Sequence, residues 1–166
     1  GIYAFVLIRF TRPKTQLRLA IILVILALLY PTMSILKVFP HQQIVNIAET
    51  VDEDRAGSLM FRFEQESQLL EHGAKRFFFG WGGWGRNRVH DDETGAGTSV
   101  TDGRWIITFG QFGWIGFIAE FGLLAMTVFR AYIASKLVTN KKELNLLAAH
   151  AIMISLIMLD QLPNAT

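Results

Sequence analysis

The sequence predicts an all-α integral membrane protein, in which multi-pass transmembrane helices carry one large extracytoplasmic loop containing short amphipathic helices. Three observations predict it. Hydrophobic residues fill 51% of the 166 positions and the mean hydropathy is +0.33, a balance that favours the membrane class. Three stretches are apolar over membrane length, and a polar segment bearing tryptophans and arginines, 40–103, lies between two of them. The net charge of +2 is too small to suggest nucleic acid, and with no cysteine neither a disulfide framework nor a thiolate metal site can form.

Crossing the hydrocarbon core takes about 20 apolar residues at roughly 1.5 Å rise each. The run 1–8 is too short. No basic region precedes it and no small-residue cleavage site follows, so it reads as the end of a truncated helix and not as a signal peptide. The first complete span is 17–39, with Arg18 and Lys37 at its edges and Pro31 inside it as a kink. The runs 106–129 and 144–162 also qualify. The whole chain, 1–166, then reads as the C-terminal fragment of one polytopic membrane domain.

The short connections set the sidedness. The turn 9–14 carries Arg9, Arg12 and Lys14 without an acid, and 130–142 carries Arg130, Lys136, Lys141 and Lys142. Both are cytoplasmic by the positive-inside rule, which leaves 40–103 outside. Helix alternation gives the same answer.

Within the loop, Gly57 and Ser58 predict a helix start with Ser58 as N-cap, running from Leu59 to His72 and closed by Gly73. Leu59, Phe63 and Leu70 would then fall within about 40° of one another. Such a stripe suits a helix lying on the membrane or packed across the bundle mouth. Arg62 borders the stripe, where it faces either a ligand or an i,i+4 partner in Glu66.

The stretch 80–85 formally fits GxGxxG. A dinucleotide site needs a preceding strand in a βαβ unit, so a tight turn is the better reading, with Trp81 and Trp84 as interface anchors. Arg86 and Arg88 follow at once; guanidinium groups held at an interface bind phosphate bidentately, or they attract anionic headgroups. The run His90, Asp91, Asp92, Glu93 is a poor metal cage because adjacent ligands in a Gly/Thr-rich stretch hold no geometry. His90 remains a candidate base.

Thr101 or Asp102 can cap the next span, and Arg104 adds a fixed cation at that helix N-terminus, a plausible seat for pyrophosphate. In a continuous helix Gly110, Gly113, Gly116 and Glu120 share an arc of about 120°. The small residues allow close packing and turn Glu120 into the bundle, where an acid is functional or partnered. Asp160 reads as a structural helix-end carboxylate, and His150 has no assigned role.

These residues resemble, in order, the C-terminal part of the O-antigen ligase and polymerase family of bacterial envelope glycosyltransferases. The resemblance rests on 57–62 opening a loop helix, on 76–82 as a large-apolar Gly-x-Gly element, and on Asp102-Gly103 set nine residues before 113–116. A closing span ending in 160–164 completes it. It implies a metal-independent, inverting transferase, without cofactor, in the bacterial inner membrane. The donor would be an undecaprenyl-diphosphate-linked saccharide, the acceptor a glycan or lipid, and the product a surface or exopolysaccharide. It further implies that loop arginines hold the diphosphate and that a histidine at the start of the closing helix is the base. Arg62 matches the loop-helix arginine, while the histidine position falls on Asp102, a departure that leans toward a polymerase-like or divergent branch. The favoured base is then Asp102, with His90 second, and the diphosphate-binding set is Arg62, Arg86, Arg88 and Arg104. Two other classes remain open: a polysaccharide or lipid transporter subunit with Glu120 in its pathway, and a non-catalytic membrane scaffold.

The sidedness has a direct check. A cysteine placed at position 88 is expected to react with a membrane-impermeant maleimide added from outside the cell; labelling only from the cytosolic side would overturn it.

Overall fold

The structure, a computed structural model, describes residues 11–90, 99 and 103–163. Five helices follow one another in it: α1 Pro13–Ile35, α2 His41–Glu49, α3 Glu53–Ala74, α4 Arg104–Ala134 and α5 Lys141–Asp160. Among the described residues there is no strand ladder. Helices α1, α4 and α5 are long and apolar enough to cross a membrane. The expected partial span 1–8 lies outside the described residues.

All three long helices begin ahead of their apolar runs, and local start signals set the first turn of α1 and α5. Pro13 opens α1, where a missing N–H and a preset φ suit the first helical position. Asn140 caps α5: its Oδ1 accepts from Lys142 N at 2.9 Å, and its Nδ2 donates to Glu143 Oε1 at 3.3 Å. α1 stops at Ile35, short of the expected 39. Lys37 adopts φ 57, and Val38 N returns to Met33 O at 2.9 Å, a Schellman-type ending built on a lysine.

The chain divides into two compact units. One takes the described residues 11–30 with Ile118–Leu162; the other is Pro31–Phe117 with the residues after Leu162. In the first, Leu17, Ala20, Val24 and Ala27 of α1 are buried, as are Phe121, Ala125 and Val128 of α4 and Ala148, Ala151 and Ile152 of α5. Small residues recur at these positions, as they do wherever helices approach closely in lipid. Ile22, Ile25, Leu26, Leu123, Met126, Leu146 and Ile157 face outward, so the helices are apolar all round.

In the second unit α2 and α3 form an antiparallel hairpin. Asp52 caps α3, its Oδ1 accepting from Arg55 N at 3.2 Å, and Glu53 and Asp54 follow in the first turn, where the helix dipole favours acids. The expected start at Ser58 is therefore corrected: Gly57 and Ser58 lie inside the helix on its exposed face. Gly73 is helical too, and its reason is packing, since a Cβ there would stand 2.9 Å from the Phe109 ring. The predicted stripe does turn inward. Leu70 is buried, and Phe63 meets the rings of His41 and Phe39 at 4.5 and 6.3 Å. Glu66 pairs with His41 at 3.5 Å, tying α3 to the start of α2.

Helix α4 is not continuous. Gly113 takes φ 67, ψ −163, a conformation open to glycine and strained for other residues. An unbroken helix would send Trp114 N to Gly110 O and Ile115 N to Gln111 O. Instead, Trp114 N donates to Phe77 O at 2.7 Å and Ile115 N to Phe78 O at 3.2 Å. The two released carbonyls, Gly110 O and Gln111 O, accept from Trp81 N at 2.9 Å and Gly82 N at 2.8 Å. These four groups are thus all reused. The two backbones touch: a Cβ at Gly113 would collide with the Phe78 carbonyl, and one at Gly80 (φ +66) would lie 2.5 Å from that of Gln111. The single glycine face expected along this span is corrected accordingly, because the break resets the helical phase between Gly110 and Glu120. Gly110 meets the Asn87 side chain, whereas Glu120 is half-buried in the other unit.

Two glycine substitutions should therefore act in opposite directions on thermal unfolding followed by circular dichroism. Gly113→Ala is expected to destabilise by about 2–4 kcal/mol through strain and collision. Gly57→Ala, in open space on a helix, is expected to stabilise by about 0.5–1 kcal/mol. Equal melting temperatures for the two variants would contradict this account of the break.

Candidate functional site

The loop after α3 folds back on the end of that helix. Gly80, Gly82 and Gly85 all have positive φ, as the tight-turn reading of 80–85 requires, and Trp84 shares that conformation at φ 65. The turn is held from two sides. Its outer edge is clasped to α4 at Gly110 and Gln111, and Trp81 Nε1 donates to the carbonyl of His72 at 2.9 Å. The Trp81 indole stacks on the His72 ring, 4.5 Å between centroids and 13° from parallel, and the Arg76 guanidinium lies over the indole at 4.6 Å. Trp81 is thus a packed, positioned residue that walls the turn. Trp84 differs: it is 98% exposed.

His72 also binds the next strand of the loop. Its Nε2 meets the carbonyl of Arg86 at 3.0 Å; a carbonyl only accepts, so Nε2 carries the proton and Nδ1 is left as acceptor in the neutral ring. Arg86 is steadied further by a 3.3 Å bond from its Nε to Gly83 O, and Arg88 N closes a turn on Gly85 O at 3.0 Å. Asn87 between them is buried against Gly110. Backbone and ring contacts therefore set where both guanidinium groups begin.

These elements surround an open cavity of about 660 Å³ whose polar lining comes from His72, Lys75, Arg86, Arg88 and His90, with Trp81 and Trp84 as aromatic walls. Its volume falls in the range of small-molecule sites. Three permanent cations and two imidazoles meet there, and among the described residues no carboxylate lines it. The chemistry suits a multiply charged anion: guanidinium forks for paired oxygens, an ammonium as a point charge, and indole faces for an apolar or sugar portion. A second, smaller cavity of about 270 Å³ adjoins through Arg88 and Gly85 and reaches Asn87, Ile107 and Gln111.

Of the residues singled out in the sequence, the fold brings Arg86, Arg88 and His90 together. Arg104 opens α4, half-buried, one turn ahead of Ile107 on the rim of the smaller cavity. Arg62 does not join them: it lies on α3 about 15 Å along the helix axis from His72. Asp102, Thr101 and the acidic residues Asp91, Asp92 and Glu93 lie outside the described residues. Asp160 and His150 are exposed on α5, with His150 Nδ1 2.7 Å from Leu146 O in the preceding turn. Sequence reasoning missed His72 and Lys75. Their signal was local: two bases in the last turn of a helix that runs directly into a glycine-aromatic turn.

No family model, no curated protein and no solved structure matches this chain.

Inorganic pyrophosphate titrated into the purified protein should bind through this cavity. Arg86→Gln or Arg88→Gln is expected to weaken binding by roughly ten- to a hundredfold, the worth of one charge-assisted pair. Arg62→Gln should leave it unchanged; equal losses at 62 and 88 would mean that the anion sits elsewhere.

Proposed function

We propose that the chain is part of a multi-pass glycosyltransferase of the bacterial inner membrane, with residues 40–103 on the periplasmic side. In this reading it polymerises or ligates O-antigen or exopolysaccharide units. The donor is an undecaprenyl-diphosphate-linked saccharide and the acceptor a hydroxyl of a glycan or lipid. One observation carries the reading: Lys75, Arg86 and Arg88 converge with two imidazoles on one cavity that has no described acidic lining residue. Three helices able to cross a membrane, one of them clasped to the cavity's own turn, support the lipid-linked form of the anion.

The reaction follows from those groups. The acceptor hydroxyl attacks the anomeric carbon, the bond from that carbon to the diphosphate oxygen breaks, and configuration inverts. Charge grows on the departing lipid diphosphate, where preorganised cations stabilise it most. The hydroxyl proton passes to a base. His90 is at the cavity wall for that role, and Asp102 is the base indicated by the family resemblance. Arg62, which the resemblance marks as a phosphate ligand, lies about 15 Å along α3 from His72 and is not part of this diphosphate seat.

The test uses purified full-length protein with undecaprenyl-diphosphate oligosaccharide, acceptor and chelator. Wild type should transfer, and Arg86→Ala/Arg88→Ala together should reduce transfer by at least about a hundredfold, two charge-assisted contacts being lost. Retained transfer in that double variant, with insertion intact, would remove the cavity from the reaction. Transport of the lipid without transfer would favour the transporter class.

A further inference from the structure

Phe77, Phe78 and Phe79 are consecutive but have different fates. Phe77 packs inward, 5.8 Å from the Phe109 ring and 5.9 Å from Trp114. Phe78 and Phe79 point away from the protein at 61% and 78% exposure. Their backbone is nonetheless rigid, since the Phe78 carbonyl is bonded to Ile115 N beside the Gly113 break. Two large apolar rings are therefore held outward by design of the backbone, not by looseness.

The break says at what depth. The whole of α4 is about 46 Å long at 1.5 Å per residue, well beyond a hydrocarbon core of roughly 30 Å. The part from Gly113 to Phe129, ahead of the basic connection that opens at Arg130, is about 26 Å and lies within the range that spans the core alone. Gly113 then lies at the boundary, and 104–112 stands outside the core. Non-helical backbone is tolerated at such a depth only if its polar groups are satisfied, and the clasp satisfies them. Phe112 and Ile115, exposed at 52% and 49%, flank the break and continue the apolar surface of Phe78 and Phe79. Directly before the two rings come Lys75 and Arg76, both exposed, which with 77–80 line an open cleft of about 470 Å³. Exposed aromatic rings beside exposed bases are the groups found together at an anionic bilayer surface.

We propose that Phe78 and Phe79 form a membrane-inserting tip that enters the acyl-chain boundary of an anionic phospholipid bilayer at the depth of Gly113, leaving Lys75 and Arg76 among the headgroups. The tip sets the 660 Å³ cavity, which shares Lys75 with the cleft, at headgroup level. This depends on α4 crossing a bilayer and not on glycosyl transfer.

Because the chain has no cysteine, single spin labels report each position separately. Phe78→Cys and Phe79→Cys are labelled with a nitroxide, as is Glu64→Cys on the exposed face of α3, and the protein is reconstituted into phosphatidylcholine vesicles containing phosphatidylglycerol. At 78 and 79 collisions with oxygen should exceed those with a water-soluble nickel chelate, and at 64 the order should reverse. Omitting phosphatidylglycerol, or replacing Lys75 and Arg76 together with Gln, should move the label at 79 toward water. Nickel collisions at 78 and 79 equal to those at 64 would overturn the proposal. So would an immobilised label reached by neither reagent, which would mean that protein covers the tip. A depth at 79 that ignores both lipid charge and the Gln pair would overturn the headgroup role of the two bases.

Discussion

The exchange of backbone hydrogen bonds at Gly113 is the constraint on which the rest of the Pro31–Phe117 unit depends. Two helix-internal bonds are given up and four bonds between segments replace them. The net gain is modest, since a backbone bond contributes only about 1 kcal/mol once water is accounted for. The penalty for any other register is larger, because each orphaned N–H or C=O in this apolar setting costs about 1–3 kcal/mol. The clasp therefore acts through specificity. With Phe77 and Phe78 locked to Trp114 and Ile115, the turn 80–85 has one place to go, and Trp81 arrives over His72. From there His72 holds the Arg86 carbonyl, and Arg88 follows within one turn.

This dependence explains why the glycines matter unequally. Gly80 and Gly113 let two backbones touch, which no side chain can replace. Gly57 meets nothing. Gly73 and Gly110 lie between these extremes, each making room for one side chain, Phe109 and Asn87 respectively. A stripe of small residues in an apolar helix thus has two distinct uses here. One is close helix packing, as with Ala20, Ala125 and Ala151 in the other unit; the other is admission of a foreign loop into the helix itself.

The three long helices were legible because membrane-length apolar runs leave few alternatives. Their ends were not, since Pro13, Lys37 and Asn140 act through local backbone geometry and capping bonds outside the apolar pattern. Ser58 looked like a cap because Ser and Gly commonly start helices; Asp52, with two acids behind it, is the stronger signal and wins. The turn at 80–85 was readable from glycine spacing alone. Its partners were not: the Trp81 stack on His72 and the pairing of His41 with Glu66 join residues whose proximity exists only after α2, α3 and the clasp have formed. Arg86, Arg88 and His90 could be named from sequence, while His72 and Lys75, which complete their cavity, carried only the local signal of two bases at a helix end.

A plainer explanation of the basic residues has to be weighed against an anion site. Lys75 is the C-cap residue of α3 and His72 lies in its last turn, where cations offset the helix dipole by about 0.3–1 kcal/mol. That accounts for two of the five lining bases. It gives no reason for Arg86 and Arg88, which come from a turn with no helix end to neutralise, nor for holding the Arg86 backbone to His72 while its Nε is tied to Gly83. Gathering like charges is unfavourable in itself: at about 7 Å in water each pair repels by about 0.6 kcal/mol, and more where the cleft excludes solvent. Surface cations left to relax would spread apart. Here two hydrogen-bonded segments hold them around one opening that no described acid lines, an arrangement that suits the polyanion proposed above.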